Sequence, residues 1–367
     1  MKKVGLIVNN LLGGGAEKVV INLARMFQKF DVDVHIFILE DRIAYDIDGL
    51  TIHKILVEKE KKKFLKKNAK KLWAKALEEK IVQLEKDGIG FDALFSNLTL
   101  SDRVVVQIPS MQDKIYYIIH TTYSIELEEL KKRKEYVRAY RRERTFKKLY
   151  KNKKLVCVSQ GICNDLPKVG IHPALCKTIY NPFDLNEIRK KADEKPIDLP
   201  DEPYMIHVGA FRKEKRHDIL LQAYAKLKNP PKLLLMCKED DELQQMISDL
   251  HLEENVTIFG FKSNPYPYIH HAKLLVLSSA REGLPTVLVE ALILRTPVVS
   301  TDCISGPNEI LTGALSQYLA KVNDSTDLAF KIEDALKSYP SLEGSEYLEK
   351  FKEENVFLEY KALIGEN

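Results

Sequence analysis

The sequence contains no uninterrupted run of about 18 apolar residues, the length that a membrane-spanning helix needs. The apolar run near the start, within M-K-K-V-G-L-I-V-N-N, is too short for a signal peptide. These absences predict a soluble protein that stays in the cytoplasm.

Cysteine is scarce as well, and no C-x-x-C pair occurs. The five cysteines lie far apart in the chain, at Cys157, Cys163, Cys176, Cys237 and Cys303. Dispersed cysteines argue for a reducing compartment and against a zinc site. No Asp-x-Asp pair occurs in a plausible loop, so we expect neither a metal ion nor a cofactor.

The chain has 367 residues, which exceeds one ordinary core and predicts two domains. A hydrophobic content of 45% and a charged content of 30% are typical of a globular protein. The net charge is only +4, but Lys and Arg are concentrated in two stretches of the first half.

The stretch from Ser278 to Pro297 combines a turn with two carboxylates, in S-S-A-R-E-G-L-P-T-V-L-V-E-A-L-I-L-R-T-P. A short apolar strand precedes a Gly-Leu-Pro-Thr turn, and an apolar helix follows the turn. Proline near the first helical position lacks only an N–H that would have no helical partner. The free N–H groups and the helix dipole then offer an anion site.

Glu282 lies in the loop before this helix, and Glu290 lies about one turn inside it. The two carboxylates could accept hydrogen bonds from sugar hydroxyls on either side of a phosphate at the helix tip. Alternatively, Glu282 interacts with the helix dipole and Glu290 is a solvated helix residue. The spacing alone is compatible with both interpretations.

The segment S-x-x-x-E-G-L-P-T-V-L-V-E-A-L, followed by R-T-P-V-V-S-T-D, closely resembles the E-x7-E segment of GT4-type retaining glycosyltransferases. Both glutamates, the glycine, the helix entry and the Pro-Val-Val strand fall in the family's places. The resemblance is strong in the second half of the chain and loose over residues 20–150. It implies the GT-B fold, in which two Rossmann-like doubly wound parallel-sheet domains face each other across a cleft.

The resemblance and the composition together predict the domain boundaries. Residues 1–186 are expected to form an acceptor-side Rossmann-like domain, and residues 187–345 a domain that binds a nucleotide sugar. Residues 346–367 are expected to form a helix that crosses back to the first domain. The polar run from Ile188 to Pro203 is interpreted as the linker.

The first domain opens with an apolar strand, a glycine loop at residues 13–15 and an amphipathic helix, as doubly wound domains do. The spacing is not G-x-G-x-x-G, so a dinucleotide site is not favoured. The glycines either admit a ligand or make a tight turn. In the resembled family a G-G-A-E loop, here with Gly14, Gly15 and Glu17, borders the reacting sugar and the acceptor.

A second candidate in this domain is His120, at the end of the apolar strand K-I-Y-Y-I-I-H. Doubly wound proteins place function at the carboxyl edge of the sheet, although a single histidine is usually structural. The resemblance matches His120 to a histidine that contacts the transferred sugar.

The second domain begins with a strand and then G-A-F-R-K-E-K-R-H-D, whose cations suit a diphosphate or form a basic surface turn. Family members carry V-G-R-x-x-x-x-K here, whereas this chain has Ala210 in place of the arginine. Lys215 matches the lysine, and Arg212 is the arginine that we expect to take the second role. Gly260 and Phe261 match a turn that lies against the nucleotide base.

These matches imply a complete set of site residues. The expected catalytic residues are Glu282, His120 and Lys215. The expected substrate-binding residues are Gly14, Gly15, Glu17, Arg212, Gly260, Phe261, Gly283, Leu284, Pro285, Thr286 and Glu290.

Two basic segments, residues 58–77 and 130–154, carry apolar side chains at roughly helical spacing. Such segments are typical of a surface that meets anionic lipid or a pyrophosphate, but a lysine run is usually only a solvated helix face. Nucleic acid is the other partner for such stretches, and no nucleic-acid module surrounds them. The lysines expected at the acceptor or membrane are Lys61, Lys62, Lys63, Lys66, Lys67, Lys70 and Lys71.

The sequence therefore predicts a metal-independent glycosyltransferase that moves a sugar, with retention, from a nucleotide sugar, most simply a UDP-sugar. The expected acceptor is a membrane-associated glycan such as a polyprenyl-diphosphate-linked saccharide, and the expected location is the inner face of the cytoplasmic membrane. A lipopolysaccharide core or a soluble glycan is the alternative acceptor. A non-catalytic basic binding protein on the same scaffold is the alternative from another class.

Overall fold

The structure, a computed structural model, describes residues 1–55, 69–344 and 346–365. The chain divides into two compact units, one made of Met1–Pro182 with the residues from Glu353 onward and the other of Phe183–Lys352. The chain therefore passes from the first unit to the second after residue 182, whereas the sequence places this boundary at residue 186, and it returns to the first unit after residue 352 rather than 345.

A parallel sheet of seven strands lies at the centre of the first unit, in the order β3-β2-β1-β4-β5-β6-β7. Its longest strands are almost wholly buried runs of Val, Ile, Leu and Phe, as expected where helices cover both faces. The strands are β1 Lys3–Val8, β2 Asp33–Ile38, β3 Thr51–Lys54, β4 Ala93–Asn97, β5 Ile115–Ile119, β6 Lys154–Cys157 and β7 Leu175–Thr178.

The helices of this unit alternate with the strands. In α1, Val20, Leu23, Ala24 and Phe27 are buried at the i, i+3, i+4, i+7 spacing that places one helix face on a sheet. The described helices are α1 Gly15–Lys29, α2 Ala69–Lys86, α3 Thr99–Val105, α4 Tyr123–Lys132, α5 Tyr136–Tyr150 and α6 Gln160–Asp165.

The last helix of the chain, Glu353–Lys361, belongs to the first unit. Its Phe357 ring stacks on Phe30 at 4.4 Å between centroids, and its Tyr360 ring meets Phe27 edge-on at 5.5 Å. Glu353 accepts a hydrogen bond from Lys29 Nζ at 2.7 Å. The end of the chain is thus packed on α1 by aromatic contacts and an ion pair.

The second unit has a six-stranded parallel sheet in the order β10-β9-β8-β11-β12-β13. The strands are β8 Tyr204–Val208, β9 Lys232–Met236, β10 Val256–Ile258, β11 Leu274–Leu277, β12 Val298–Thr301 and β13 Leu319–Ala320. Two Rossmann-like parallel sheets with flanking helices are the α/β class predicted from the sequence, so the predicted fold class is confirmed.

The helices of the second unit are α7 Leu185–Ala192, α8 His217–Tyr224, α9 Asp241–Asp249, α10 Tyr266–His271, α11 Thr286–Ile293, α12 Pro307–Ile310 and α13 Ser325–Lys337; the helix of the chain's end is α14. Helix α7 corrects the linker interpretation, because residues 188–192 are helical. The Asp184 carboxylate caps α7 by accepting from the backbone N–H groups of Asn186 and Glu187. Ile188 and Ala192, four residues apart, are its buried face.

The cysteines also differ from expectation, because three of them meet in space. Cys163 and Cys176 form a disulfide, and Cys157 Sγ lies 3.6 Å from Cys176 Sγ. Strands β6 and β7 are neighbours in the sheet and α6 connects them, so residues far apart in sequence converge.

None of the helices in the described part of the chain is both long enough and apolar enough to cross a membrane.

Candidate functional site

In the second unit, β8 lies beside β11 at the point where the strand order reverses. The crevice outside the carboxyl ends of such a strand pair is where open α/β sheets bind ligands. The loop after β8 carries Lys215, and the loop after β11 carries Glu282. The topology therefore places the loop that carries Lys215 and the E-x7-E segment at the same edge of the same sheet.

Lys215 and Glu282 form an ion pair, with Nζ 2.6 Å from Oε1. The side chains are 22% and 11% exposed, so water screens this pair only in part. Ser279 Oγ donates to the same Oε1 at 2.6 Å. An ammonium group has three donors, so the bond to Glu282 leaves Lys215 with capacity for a second acceptor such as a phosphate oxygen.

Hydrogen bonds between the two loops fix this pair in place. Ser278 Oγ donates to the Lys215 carbonyl oxygen, and the Ala280 N–H donates to the Glu214 carbonyl oxygen, both at 2.8 Å. Ser305 Oγ, from the loop after β12, donates to the Gly283 carbonyl oxygen at 2.6 Å. Two serine hydroxyls and one backbone N–H therefore connect the loops that follow three neighbouring strands.

Helix α11 begins at Thr286 and has no side-chain cap at its N-terminus. Pro285 occupies the cap position, and Gly283, Leu284 and Pro285 are buried while Thr286 is half-buried. The free N–H groups and the dipole of an uncapped helix start favour an anion. The predicted diphosphate-binding residues Gly283 to Thr286 therefore adjoin the predicted Glu282.

Glu290 is 3% exposed and lies on a helix whose residues Val287–Ile293 are all buried. This burial is incompatible with the alternative of a solvated helix residue. A buried carboxylate is costly unless it is hydrogen-bonded or paired, so the site must hold Glu290 through polar contacts.

Two histidines beside Lys215 were not predicted. His207 lies near the carboxyl end of β8, and His217 is the first residue of α8. Both side chains are buried, and their rings meet edge-on with 4.6 Å between centroids. Burial, with a smaller contribution from Lys215, lowers the pKa of His207 to about 4 and that of His217 to about 2. Both rings are therefore neutral near pH 7 and do not repel Lys215 as cations would.

The arginines of this loop differ in their engagement. Arg216 donates to both carboxylate oxygens of Asp218, at 2.9 and 2.7 Å, and also to Asn323. Arg212 is exposed and precedes the short 3-10 helix Lys213–Lys215. Arg212, the arginine predicted to take the second role, is thus exposed two residues after Ala210.

The turn predicted to meet the nucleotide base follows β10 at the same carboxyl edge of the sheet. Gly260 has φ +77°, a conformation that glycine adopts without strain, and Phe261 is 63% exposed. Gly260 itself is half-buried.

In the first unit, His120 follows β5 and Asn97 ends β4. His120 Nε2 lies 2.9 Å from Asn97 Oδ1, and the Asn97 amide nitrogen donates to the Phe95 carbonyl oxygen. The amide orientation makes Oδ1 the acceptor, so Nε2 carries the hydrogen and Nδ1 keeps a lone pair. Burial lowers the pKa of His120 to about 4, so the ring is neutral near pH 7.

The glycine loop follows β1 at the same edge of the first sheet. Gly14 is the cap residue of α1, and Tyr45 Oη donates to its carbonyl oxygen at 2.8 Å. A Cβ at Gly14 would lie 2.2 Å from a Glu17 carboxylate oxygen, so Glu17 folds back over the glycine. A Cβ at Gly15 would meet none of the described atoms within 4 Å.

Of the predicted acceptor lysines, Lys70 and Lys71 are exposed on α2. Lys61, Lys62, Lys63, Lys66 and Lys67 lie outside the described residues. The second basic segment forms α5, where Tyr136, Val137 and Tyr140 are 63%, 65% and 66% exposed. These apolar side chains, Tyr136, Val137 and Tyr140, are called the α5 patch below.

The chain matches two known domain families over nearly its whole length. Residues 13–187 match Glycosyltransferase Family 4, and residues 189–355 match Glycosyl transferases group 1.

One relative is N-acetylgalactosamine-N,N'-diacetylbacillosaminyl-diphospho-undecaprenol 4-alpha-N-acetylgalactosaminyltransferase of Campylobacter jejuni. It is 30% identical over 89% of this chain and 88% of its own length.

Among solved structures, Anabaena HepE, in complex with UDP and glucose, superimposes with a TM-score of 0.73 at 17% identity, covering 99% of both chains. Sucrose-phosphate synthase of Thermosynechococcus elongatus gives a TM-score of 0.75 at 19% identity, covering 99% of this chain and 98% of its own. At these identities the likeness shows the fold alone, which is that of GT-B glycosyltransferases.

Proposed function

The chain belongs to glycosyltransferase family 4, and from this we propose that it transfers a sugar from a UDP-sugar to a polyprenyl-diphosphate-linked saccharide at a membrane surface. The observation that carries the donor half of the proposal is the Lys215–Glu282 pair beside the uncapped start of α11. Positive and negative groups side by side suit a ligand that has phosphates at one end and hydroxyls at the other.

We propose that the diphosphate of the donor contacts Lys215, Arg212 and the N–H groups at the start of α11. Cleavage of the bond between the sugar and the diphosphate leaves negative charge on the departing phosphate. Fixed donors aimed at that charge stabilise the transition state more than the ground state. These groups would supply the positive charge that a metal ion supplies in other transferases, so the proposed reaction is metal-independent.

The sugar and the nucleoside would use the remaining residues. Glu282, held by Ser279, accepts hydrogen bonds from sugar hydroxyls, and Glu290 accepts them from the ribose. The backbone at Gly260 and Phe261 contacts the base. His120 contacts the transferred sugar as a neutral ring, and transfer proceeds with retention on the face of the sugar that the diphosphate leaves.

The acceptor half rests on charge and on the named relative. The Campylobacter jejuni relative acts on an undecaprenol diphosphate-linked saccharide according to its name. In this chain α5 combines the exposed α5 patch with exposed Arg138 and Arg141. Each cation near an anionic leaflet contributes about 1 kcal/mol of attraction, so α5 and the lysines of residues 59–75 suit a peripheral position on the membrane.

The donor is tested by a screen of UDP- and GDP-sugars for hydrolysis and for a rise in the unfolding temperature. One UDP-sugar is expected to be hydrolysed slowly and to protect the protein, and chelator should not change its rate of transfer. Proton NMR of the product is expected to show the anomeric configuration of the donor. Protection by GDP-sugars alone, or an inverted product, would contradict the proposal.

The acceptor is tested with a polyprenyl-diphosphate-linked saccharide and the same saccharide without lipid, each presented with liposomes that contain anionic lipid. We expect transfer to the lipid-linked form. Replacing Lys61, Lys62, Lys63, Lys66 and Lys67 by Ala should lower that transfer and leave donor hydrolysis intact. Equal transfer to both acceptors by both proteins would refute a membrane acceptor and favour a soluble glycan.

A further inference from the structure

Three cysteine sulfurs of the first unit lie in one place, outside the site described above. Cys157 ends β6, Cys163 lies on α6 and Cys176 lies on β7. Their Sγ atoms are all within 4.8 Å of one another, and Cys163 and Cys176 are joined as a disulfide. The sequence gives no hint of this cluster, since the register of β6 on β7 creates it.

The three residues differ in their access to water. Cys157 is fully buried, whereas Cys163 and Cys176 are half-buried. Cys163 and Cys176 are therefore accessible to an ion or a reductant from solvent, whereas Cys157 lies beneath them. Among the described residues, no histidine or carboxylate joins the three sulfurs.

We propose that, once the Cys163–Cys176 bond is reduced, Cys157, Cys163 and Cys176 bind one soft d10 cation of the Zn²⁺, Cd²⁺ or Cu⁺ class. A set of thiolates without oxygen ligands selects such cations over Mg²⁺ or Ca²⁺. This inference does not depend on the proposed transferase function.

The geometry of the cluster suits three-coordinate binding. A metal–sulfur bond of about 2.3 Å places three sulfurs of a trigonal site roughly 4 Å apart. Cys157 Sγ and Cys176 Sγ are already 3.6 Å apart, and the Cα atoms of Cys163 and Cys176 are 6.5 Å apart. Separation of those two sulfurs therefore needs side-chain rotation rather than movement of the strands.

The chemistry takes two balanced steps. An external thiol or phosphine reductant supplies two electrons and is oxidised to a disulfide or a phosphine oxide, and the reductant thiols or a water molecule supply the two protons that complete the two cysteine thiols. The three thiols then lose their protons to water as their sulfurs bond to the cation. Burial raises the pKa of the Cys157 thiol to about 12, and coordination to a cation counters this effect because a metal-bound thiol is deprotonated.

The test uses the full chain, reduced with a phosphine and freed of it without oxygen. Cd²⁺ is titrated while the ultraviolet thiolate-to-metal charge-transfer absorption is recorded, and the bound metal is then counted by mass spectrometry. We expect one Cd²⁺ per chain in reduced protein and none in protein whose disulfide is intact. Cd²⁺ should in turn displace Zn²⁺ from protein that has been loaded with Zn²⁺, because thiolates prefer the softer cation.

Single substitutions assign the ligands. Cys157→Ala, Cys163→Ser and Cys176→Ser should each weaken Cd²⁺ binding by more than the roughly 10–100-fold loss seen when groups that only orient metal ligands are removed. Cys237→Ala is the matched control, because Cys237 is another buried free cysteine outside the cluster. Circular dichroism spectra identical to that of the parent show that a variant is folded.

Two results would overturn the inference. One is reduced, folded parent protein that shows no charge-transfer absorption after one equivalent of Cd²⁺ per chain has been added. The other is Cys157→Ala protein that binds Cd²⁺ as tightly as the parent, because Cys157 would then not be a ligand and only Cys163 and Cys176 would remain to hold the cation.

Discussion

At the residue scale, the ion pair of Lys215 and Glu282 is expected to affect both the transfer reaction and the stability of the second unit. We predict that Lys215→Ala lowers kcat by about 10²–10³-fold, the size of effect produced by losing one donor to a developing anion. The same change leaves Glu282, 11% exposed, without its cation, and should lower the free energy of unfolding by roughly 1–3 kcal/mol. Steady-state kinetics and urea unfolding measure the two effects.

A neighbour in the same loop separates this role from general loss of charge. Lys213 is exposed on the same short 3-10 helix, so Lys213→Ala should change neither quantity. Adding Glu282→Gln to Lys215→Ala should restore stability but not turnover, because the unpaired charge is removed while the donor is still missing. Turnover by Lys215→Ala equal to that of the parent would disprove the assignment.

His120 allows a second prediction at this scale. Because the Asn97 amide nitrogen donates to Phe95, its oxygen must accept from His120 Nε2. Nitrogen-15 NMR of the histidine rings should show His120 as the neutral Nε2–H tautomer down to about pH 5, since burial lowers its pKa to about 4. Asn97→Ala should mix the two tautomers. A positively charged His120 ring at pH 6 would contradict the structure.

The residues of the donor site were predictable to different degrees. Glu282 and the start of α11 lie in one continuous motif, but its spacing alone left two interpretations open, and the family resemblance was needed to choose between them. Lys215 lies in a separate basic loop and was assigned from the resemblance, and the structure adds that β8 and β11 are neighbours and that Lys215 pairs with Glu282. His207 and His217 were missed because their ring contact forms only when β8 and the start of α8 meet, and the sequence shows only a strand and a helix start there.

At the scale of elements, the start of α11 is shaped by a glycine from another loop. Gly306 has φ +96°, and a Cβ there would lie 2.4 Å from Pro285 Cδ and 2.9 Å from the Gly283 carbonyl oxygen. Gly306→Ala should therefore displace the loop before α11 and weaken the binding of UDP by at least about tenfold. The strained backbone at residue 306 should in addition lower the free energy of unfolding by about 1–3 kcal/mol. Calorimetric titration with UDP measures the binding.

Gly313 provides the matched control for this prediction. It also has a positive φ, +56°, but the nearest atom to a Cβ there is 3.8 Å away. Gly313→Ala should show the backbone cost without the loss of UDP binding. Equal UDP binding by the two variants would show that the contact with Pro285 does not shape the site.

The α5 patch gives the second prediction about an element. Replacing Tyr136 and Tyr140 by Ser removes apolar side chains from a helix surrounded by cations, and should reduce sedimentation of the protein with anionic liposomes by about tenfold. Phe330→Ser is the control, because Phe330 is 62% exposed on α13. Equal sedimentation of the parent protein and both variants would show that α5 does not bind the membrane.

Elements were predicted well where apolar runs are long and poorly where they are short. The strands of both sheets read as buried runs of Leu, Ile and Val, so the parallel α/β class followed from their alternation with helices. Helix α7 was interpreted as linker because Arg189, Lys190 and Lys191 dominate its composition while its buried face has only Ile188 and Ala192. The cysteine cluster depends on strand register, which no local pattern encodes.

At the scale of the whole molecule, buried titratable groups make stability depend on pH. Burial lowers the pKa of His53, His120 and His207 to about 4 and that of His217 to about 2. Between pH 6.5 and 4 the unfolded chain binds protons at these residues that the folded chain does not, so stability falls as pH falls. Burial raises the pKa of Asp102 to about 7, which has the opposite effect because the folded chain holds that proton.

The two units carry these groups unequally. The second unit contains His207 and His217, with a smaller opposing effect from Asp302, whose pKa is raised by burial, whereas the first contains His53 and His120 with Asp102 opposing them. At pH 5.5, unfolding should take up about two protons in the second unit and about one in the first. The second unit should therefore lose more stability between pH 7 and pH 5.

Hydrogen–deuterium exchange of the full chain at pH 7 and pH 5, corrected for the intrinsic exchange rate, resolves the two units. Peptides from β8, β9 and β11 should lose more protection than peptides from β1 and β4. Asp102→Asn removes the opposing group and keeps the side-chain shape, so the first unit should then become about as acid-sensitive as the second. A first unit that loses more protection than the second in the parent chain would show that other groups dominate the proton balance.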